Sequence, residues 1–167
     1  MSTISTIEKK AVKGGKYVNR QEVDTFIRAY KQETWVHNTE RIGKEDAKSS
    51  WYTVDELEGF LAKVKQQGGN GVRMHFGIYP EGYGNNPELA GRQAIVLVGT
   101  RSSDGTVTTS KELYIGNGKE TKILAFVGDY PCPAYCPFPY TPPTTGSAQT
   151  AVGTTLVDMG EKGMQIV

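Results

Sequence analysis

The sequence predicts an α+β fold in which helices come first and an antiparallel sheet follows. Apolar residues recur at helical spacing in the first part of the chain, and the period changes to two after Gly71. Turn dipeptides then separate short apolar runs. Helices followed by a strand meander pack as two layers. We therefore expect two N-terminal helices on one face of a mainly antiparallel four-stranded sheet.

The first helix is expected to begin after Asn19. Asn19 and Glu22, three residues apart, match the pattern of a capping box. Apolar side chains then lie on one helical face, at Val23, Phe26, Ile27 and Tyr30. The polar stretch of residues 38–50 is expected to be a loop.

The second helix carries start and stop signals at both ends. Thr53 is expected to cap it, acidic residues occupy its first turn, and the Gly68-Gly69 pair is expected to end it. Its apolar face consists of Leu57, Phe60, Leu61 and Val64.

Four strands are predicted after Gly71. In the first strand the alternation predicts that Val72, Met74, Phe76 and Ile78 face the core. Asp104-Gly105 and Asn117-Gly118 are turn dipeptides that bracket the third strand. The other three strands are placed at 94–98, 106–115 and 122–127.

The composition divides the chain into four parts. Six of the eight prolines lie between Pro131 and Pro143, so this stretch is expected to be extended. It docks on a neighbouring copy or a partner, or folds back over its own sheet to cover the face of Arg73, His75 and Tyr79, and both can be true in one molecule. The predicted parts are a basic arm (1–18), the α+β domain (19–129), a Pro/aromatic-rich segment (130–143) and a Thr/Gly-rich tail (144–167).

Charge and local composition exclude several classes of protein. The 19 basic and 18 acidic residues nearly balance, which argues against a nucleic-acid binder. The start has no apolar signal region, and no apolar run reaches the roughly 18 residues of a membrane helix. We expect a cytoplasmic protein without a membrane segment. No phosphate loop or nucleophile elbow is present, so we expect no cofactor and no catalytic residue.

Cys132 and Cys136 are the only cysteines. A structural zinc site needs four ligands, commonly from two paired motifs, so we predict no metal site. A disulfide is within reach, but a reducing compartment disfavours it. We therefore favour two buried or partly buried thiols.

The second face of the first strand offers a candidate ligand site. Arg73, His75 and Tyr79 project to the same side of the strand, around the gap at Gly77. An arginine, an imidazole and a phenol together could bind an anion or assist proton transfer. The alternative is that they line a solvent face or bond a covering segment.

Aromatic and C-terminal residues are the candidate interaction sites. Aromatic side chains interleave the prolines at Tyr130, Tyr135, Phe138 and Tyr140. The tail has few large apolar anchors, chiefly Leu156, Val157 and Ile166, so a neighbouring copy is the expected source of the surface that orders it. We expect a non-catalytic homo-oligomer that self-associates through its terminal segments, with a further protein partner possible through the proline segment. The alternative function is a small-molecule-binding or catalytic domain using the Arg73, His75 and Tyr79 face.

Several short motifs of the chain are similar to those of a known group of small proteins. Trp51, the Thr53-capped helix, the 71–77 strand and the late Cys-Pro-Ala-Tyr-Cys run resemble a group of small proteins common in Bacteroidetes-type bacteria. No activity is known for that group. The resemblance implies a recurring intracellular domain and assigns no residue a role.

Overall fold

A computed structural model of the chain describes residues 14–116, 120–136, 156–158 and 164–166. Helices and antiparallel sheets in these residues confirm the α+β class. The described chain forms two compact units. The first comprises residues 14–16, 53–75, 96–116 and 120–127, and the second comprises 17–52, 76–95, 128–136, 156–158 and 164–166.

The first helical stretch consists of α1 (Arg20–Tyr30), a π-helical segment (Lys31–Trp35) and α2 (Val36–Ile42). The predicted capping box is present, because Asn19 and Glu22 each accept the other's backbone N–H at 3.0 Å. The prediction of a loop from residue 38 is wrong, since the helix continues to Ile42 and ends at Gly43, whose φ is +69°. The half-buried side chains of α2 are both apolar and polar, at Val36, Asn38, Thr39 and Ile42.

Helix α3 (Val54–Gln66) has the predicted ends. The Thr53 hydroxyl accepts the Glu56 N–H at 3.1 Å, and Gly68 adopts the left-handed conformation that follows a helix. Its buried side chains belong to the core of the first unit, and the Phe60 and Phe126 rings stack at 5.8 Å. That core comprises Phe60, Val64, Leu97, Val98, Leu113 and Leu124.

The sheets are more divided than predicted. One four-stranded sheet has the order β2 (Gly71–Ile78), β3 (Gln93–Arg101), β4 (Lys111–Glu112), with β7 (Ala125–Val127) also paired to β3. Two-stranded sheets join β1 (Ser49–Ser50) to β8 (Pro131–Cys132), β5 (Tyr114–Gly116) to β6 (Thr121–Ile123), and β9 (Leu156–Asp158) to β10 (Met164–Ile166). The single predicted sheet is therefore corrected to four sheets among the described residues.

The predicted third and fourth strands are both interrupted. Leu113 donates its N–H to Gly99 O and accepts from Leu124 N–H, each at 2.8 Å, so both leucines turn inward between two strand pieces. Residues 104–110 form a loop because the Asp104 carboxylate accepts hydrogen bonds from Thr106 and Thr109. Side-chain bonds of this kind compete with a β-ladder.

The predicted inward face of the first strand is wrong. Met74, Phe76 and Ile78 are exposed by 64%, 82% and 55%, whereas Tyr79 is only 2% exposed. Phe26 of α1 is also exposed, by 68%. Burial does not alternate along β2, since Met74, His75 and Phe76 are all exposed, so the strand was predicted correctly but its buried face was not.

The second unit buries charged groups together with its apolar core. Trp35, Tyr79, Leu89 and Ala94 are buried, and so are Lys31 and Asp46, whose exposed fractions are both 0%. In the described part of the chain, no helix is long and apolar enough to cross a membrane.

Candidate functional site

The three residues of the predicted ligand face have different surroundings. Arg73 donates to Glu112 Oε1 at 2.8 Å and to Ser110 Oγ at 2.6 Å, while His75 is exposed. The buried Tyr79 hydroxyl donates to Gly128 O at 2.6 Å, and its burial raises the pKa of this phenol to about 12. Two of the three side chains therefore stabilise the fold.

Three exposed aromatic rings form a contiguous cluster, here called the aromatic surface: Trp51, Tyr130 and Tyr135. Their exposed fractions are 61%, 46% and 44%. The Tyr130 ring lies 6.2 Å from that of Trp51 and 5.5 Å from that of Tyr135, with interplanar angles of 76° and 74°. The other predicted aromatic residues, Phe138 and Tyr140, lie outside the described residues.

A disulfide between Cys132 and Cys136 holds one end of the aromatic surface. The two Cα atoms are 4.7 Å apart, and the Tyr135 N–H donates to Pro131 O at 2.7 Å across the loop. The expectation of two buried thiols is therefore wrong, because the tight turn brings the sulfur atoms together. A disulfide persists in oxidising compartments, so it gives the cytoplasmic prediction no support.

Among the described residues, no three His, Cys, Asp or Glu side chains could hold a metal ion together.

The predicted anchors of the tail lie in a short hairpin. Leu156 pairs with Ile166, and Val157 pairs with Gln165, both within the same chain. Their part in an interface stays a prediction.

Two adjoining cavities lie within the second unit. The outer groove has a volume of about 630 Å³ and is lined by Tyr30, Thr34, Asn38, Phe76, Gly77, Ile78 and Gln93. The inner cavity has a volume of about 180 Å³ and is lined by Tyr30, Ala47, Lys48, Ser49, Ser50, Phe76, Gln93 and Ile95. Tyr30, Phe76 and Gln93 line both cavities, so the inner cavity lies beside the outer groove. Arg73, His75 and Tyr79 line neither of them.

The wall shared by the two cavities carries a short polar network. The Tyr30 hydroxyl lies 2.5 Å from Gln93 Oε1 and 2.9 Å from Ala47 O. Burial raises the pKa of Tyr30 above its ordinary value, and the neighbouring Asp46 carboxylate raises it further. Tyr30 is therefore a neutral hydrogen-bonding group rather than a base.

Two lysine side chains are buried in the second unit, and one of them, Lys48, lines the inner cavity. Burial lowers the pKa of Lys31 to about 8, and the positive charges of Lys48 and Arg28 add to this effect. Burial also lowers the pKa of Lys48, against the attraction of Glu45, whose carboxylate lies 3.9 Å from the Lys48 ammonium. The Lys48 Nζ is also 5.0 Å from the centroid of the Trp35 ring, within reach of a cation–π interaction.

Asp46 organises this region. Its carboxylate accepts hydrogen bonds from the Gln93 N–H at 2.6 Å, the Ala47 N–H at 2.8 Å and the Asn38 side chain at 2.9 Å. Its backbone oxygen accepts the Trp35 indole N–H at 2.9 Å. One buried acidic residue thus joins the helical stretch, the 43–48 loop and the start of β3.

The sequence alone did not predict the two cavities or the burial of Lys31 and Lys48. Lys31 and Trp35 are four residues apart, so a shared helical face was a readable signal. Lys48 and Asp46 lie in a stretch that was predicted to be a loop, and no local pattern marks them as buried.

Comparison of the chain with protein-family models, curated proteins and solved structures found no match in any of the three.

Proposed function

We propose that this protein is a non-catalytic interaction protein that self-associates, and that the aromatic surface of one copy binds the proline-rich segment of another. The observation that carries the proposal is the exposure of Trp51, Tyr130 and Tyr135 in one contiguous cluster. Large aromatic side chains dominate the energetics of protein interfaces, and a cluster of them outside a core is typical of a binding surface.

The ring geometry favours an extended proline-rich ligand. Neighbouring rings of the aromatic surface are inclined at 76° and 74°, so the surface presents ring faces and ring edges instead of one flat platform. A polyproline II helix presents ridges every three residues and docks against aromatic side chains. Its backbone is already extended, so it loses little entropy on binding.

The chain carries such a ligand in its own sequence. Prolines stand at 137, 139, 142 and 143, directly after the disulfide loop that contains Tyr135. Proline fixes its own backbone and biases the preceding residue towards extended conformations, so the sequence disfavours an immediate reversal onto Tyr135. We therefore assign the bound segment to a second copy.

The C-terminal hairpin is the second proposed contact. β9 and β10 pair with each other and with no other described strand. An isolated two-stranded hairpin is marginally stable in water, so a further surface is expected to support it. Leu156, Val157 and Ile166 stay the proposed anchors there.

Sedimentation velocity of the full chain tests the proposal. We expect reversible association at concentrations of about 1–100 µM, in the range of ordinary specific interfaces. Trp51→Ala and Tyr130→Ala should each weaken association by about tenfold or more, as expected for aromatic interface residues. Tyr114→Ala is the matched control, because Tyr114 is also 61% exposed but lies in β5, outside the aromatic surface.

A double Pro137→Ala, Pro139→Ala variant tests the ligand half of the contact. It should weaken association while leaving the far-ultraviolet circular dichroism unchanged. Sedimentation of the unaltered chain as a monomer at about 100 µM would rule out the proposal. Equal loss of association in the Tyr114→Ala control would show that the aromatic surface is not the interface.

The alternative function on the Arg73, His75 and Tyr79 face stays a prediction. The ion pair of Arg73 with Glu112 and the hydrogen bond of Tyr79 to Gly128 O favour the structural role for two of these residues.

A further inference from the structure

The outer groove of the second unit has the form of a small-molecule site, and the interaction proposal does not use it. Its volume of about 630 Å³ lies within the range of ligand pockets. Residues of the helical stretch and of strands β2 and β3 line it. The rings of Tyr30 and Phe76 and the side chain of Ile78 are its large apolar groups. A pocket with apolar walls and a few polar groups is the usual form of such a site.

The outer groove offers no ion pair to a ligand. None of the described residues that line it has a charged side chain, because burial raises the pKa of the Tyr30 phenol and keeps it neutral. The Asn38 side chain donates to the buried Asp46 carboxylate at 2.9 Å, so a negative charge already lies next to this wall. A charged ligand would lose water without gaining a partner of opposite charge. The groove therefore suits an uncharged ligand.

Two polar groups of the helical stretch remain for that ligand. The NH₂ group of Asn38 is bonded to Asp46, so its carboxamide oxygen is the part left to accept a hydrogen bond. The Thr34 side chain is exposed and has no hydrogen-bond partner among the described residues. The two residues are four positions apart, as neighbours on one helical face are. Together they provide one hydroxyl donor and one carbonyl acceptor.

The π-helical segment of the helical stretch lies at the same groove. The Val36 N–H donates to Lys31 O, five residues earlier, instead of to the fourth residue as in an α-helix. Thr34 belongs to this segment, and Tyr30 and Asn38 lie on either side of it. Single π-helical turns within α-helices are rare and occur frequently at functional sites. This backbone feature is independent of the composition of the groove and points to the same place.

We propose that the outer groove binds an uncharged, planar ring compound that carries a hydroxyl group. The ring lies against Tyr30 and Phe76, since aromatic side chains pack well against other rings. The ligand hydroxyl donates to the Asn38 carboxamide oxygen and accepts from the Thr34 hydroxyl.

Calorimetric titration of the full chain with 2-naphthol at neutral pH tests this assignment. We expect saturable binding of 2-naphthol. The anion 2-naphthoate and the cation 2-naphthylmethylammonium have the same ring system, and each should bind at least about tenfold more weakly, because its charge loses water without gaining a partner. These three comparisons use the unaltered chain and do not depend on the folding of any variant.

Two substitutions of Thr34 locate the site. Thr34→Trp should fill the groove and weaken 2-naphthol binding by about tenfold or more. Thr25→Trp is the matched control, because Thr25 is also exposed in the helical stretch but lines neither cavity. Thr34→Val keeps the shape of the side chain and removes its hydroxyl, so it should weaken binding by about two- to tenfold, as expected for one hydrogen bond.

Three results would overturn the proposal. They are the absence of saturable 2-naphthol binding up to about 1 mM, an equal or higher affinity for either ion, and unchanged binding in a folded Thr34→Trp variant. Thr34→Trp should also leave self-association unchanged in sedimentation velocity. If it abolishes association, the groove is a protein contact and the small-molecule assignment is wrong. Failure of 2-naphthol binding alone does not bear on the aromatic surface, which uses other residues.

Discussion

Replacement of Asp46 by alanine tests how the second unit is held together. The Asp46 side chain is fully buried, and its carboxylate accepts three hydrogen bonds, at 2.6, 2.8 and 2.9 Å. A hydrogen bond to a charged group contributes about 1.5–3 kcal/mol, but the alanine variant also avoids the cost of burying the charge. The net loss is therefore smaller than the sum of the three bonds, and we expect the free energy of unfolding to fall by about 3–5 kcal/mol.

Urea unfolding, followed by circular dichroism, measures this loss. Glu40→Ala is the control, because the Glu40 side chain is 74% exposed and its removal should change the free energy of unfolding by less than about 0.5 kcal/mol. Asp46→Asn should lie between the two, since an amide keeps one acceptor oxygen but directs an NH₂ group at a donor. A loss below about 1 kcal/mol for Asp46→Ala would refute the role of Asp46 as the central acceptor.

Two further predictions concern packing and pH. A Cβ at Gly128 would lie 2.5 Å from the Tyr52 ring, so Gly128→Ala should lower the free energy of unfolding by about 1–3 kcal/mol in the same urea assay. Gly59→Ala, where a Cβ would meet nothing within 4 Å, should instead raise it by up to about 1 kcal/mol, and equal effects at both sites would contradict the packing. Burial lowers the pKa of Lys31 from 10.5 to about 8, so above pH 8 the unfolded chain holds a proton that the folded chain has lost. The urea midpoint should therefore rise from about pH 8 to about pH 10, where unfolded tyrosines begin to ionise, and Lys31→Met should reduce this rise, to which Lys48 also contributes because burial lowers its pKa.

Local signals in the sequence determined the starts of both helices, the end of α3 and the fold class. Asn19 with Glu22 and Thr53 with Glu56 satisfy N–H groups within three residues of themselves, so their patterns can be read without any knowledge of the fold. Gly68 ends α3 because its backbone conformation depends on its own missing side chain. The change of period after Gly71 predicted β2 for the same reason, since a strand's alternation is a property of the strand itself.

Tertiary structure decided which faces are covered and which groups come together. Alternation separated Phe76 from Tyr79, but the packing of other segments made Tyr79 buried and left Phe76 exposed. The pairing of Ser49 with Cys132 and the hydrogen bond from the Gln93 N–H to the Asp46 carboxylate join residues far apart in the chain, and no local pattern encodes such contacts. The cavities follow from these long-range contacts. The sequence therefore determined where the two helices begin and where β2 lies, and the fold alone buried the charged groups and brought the exposed aromatic rings together.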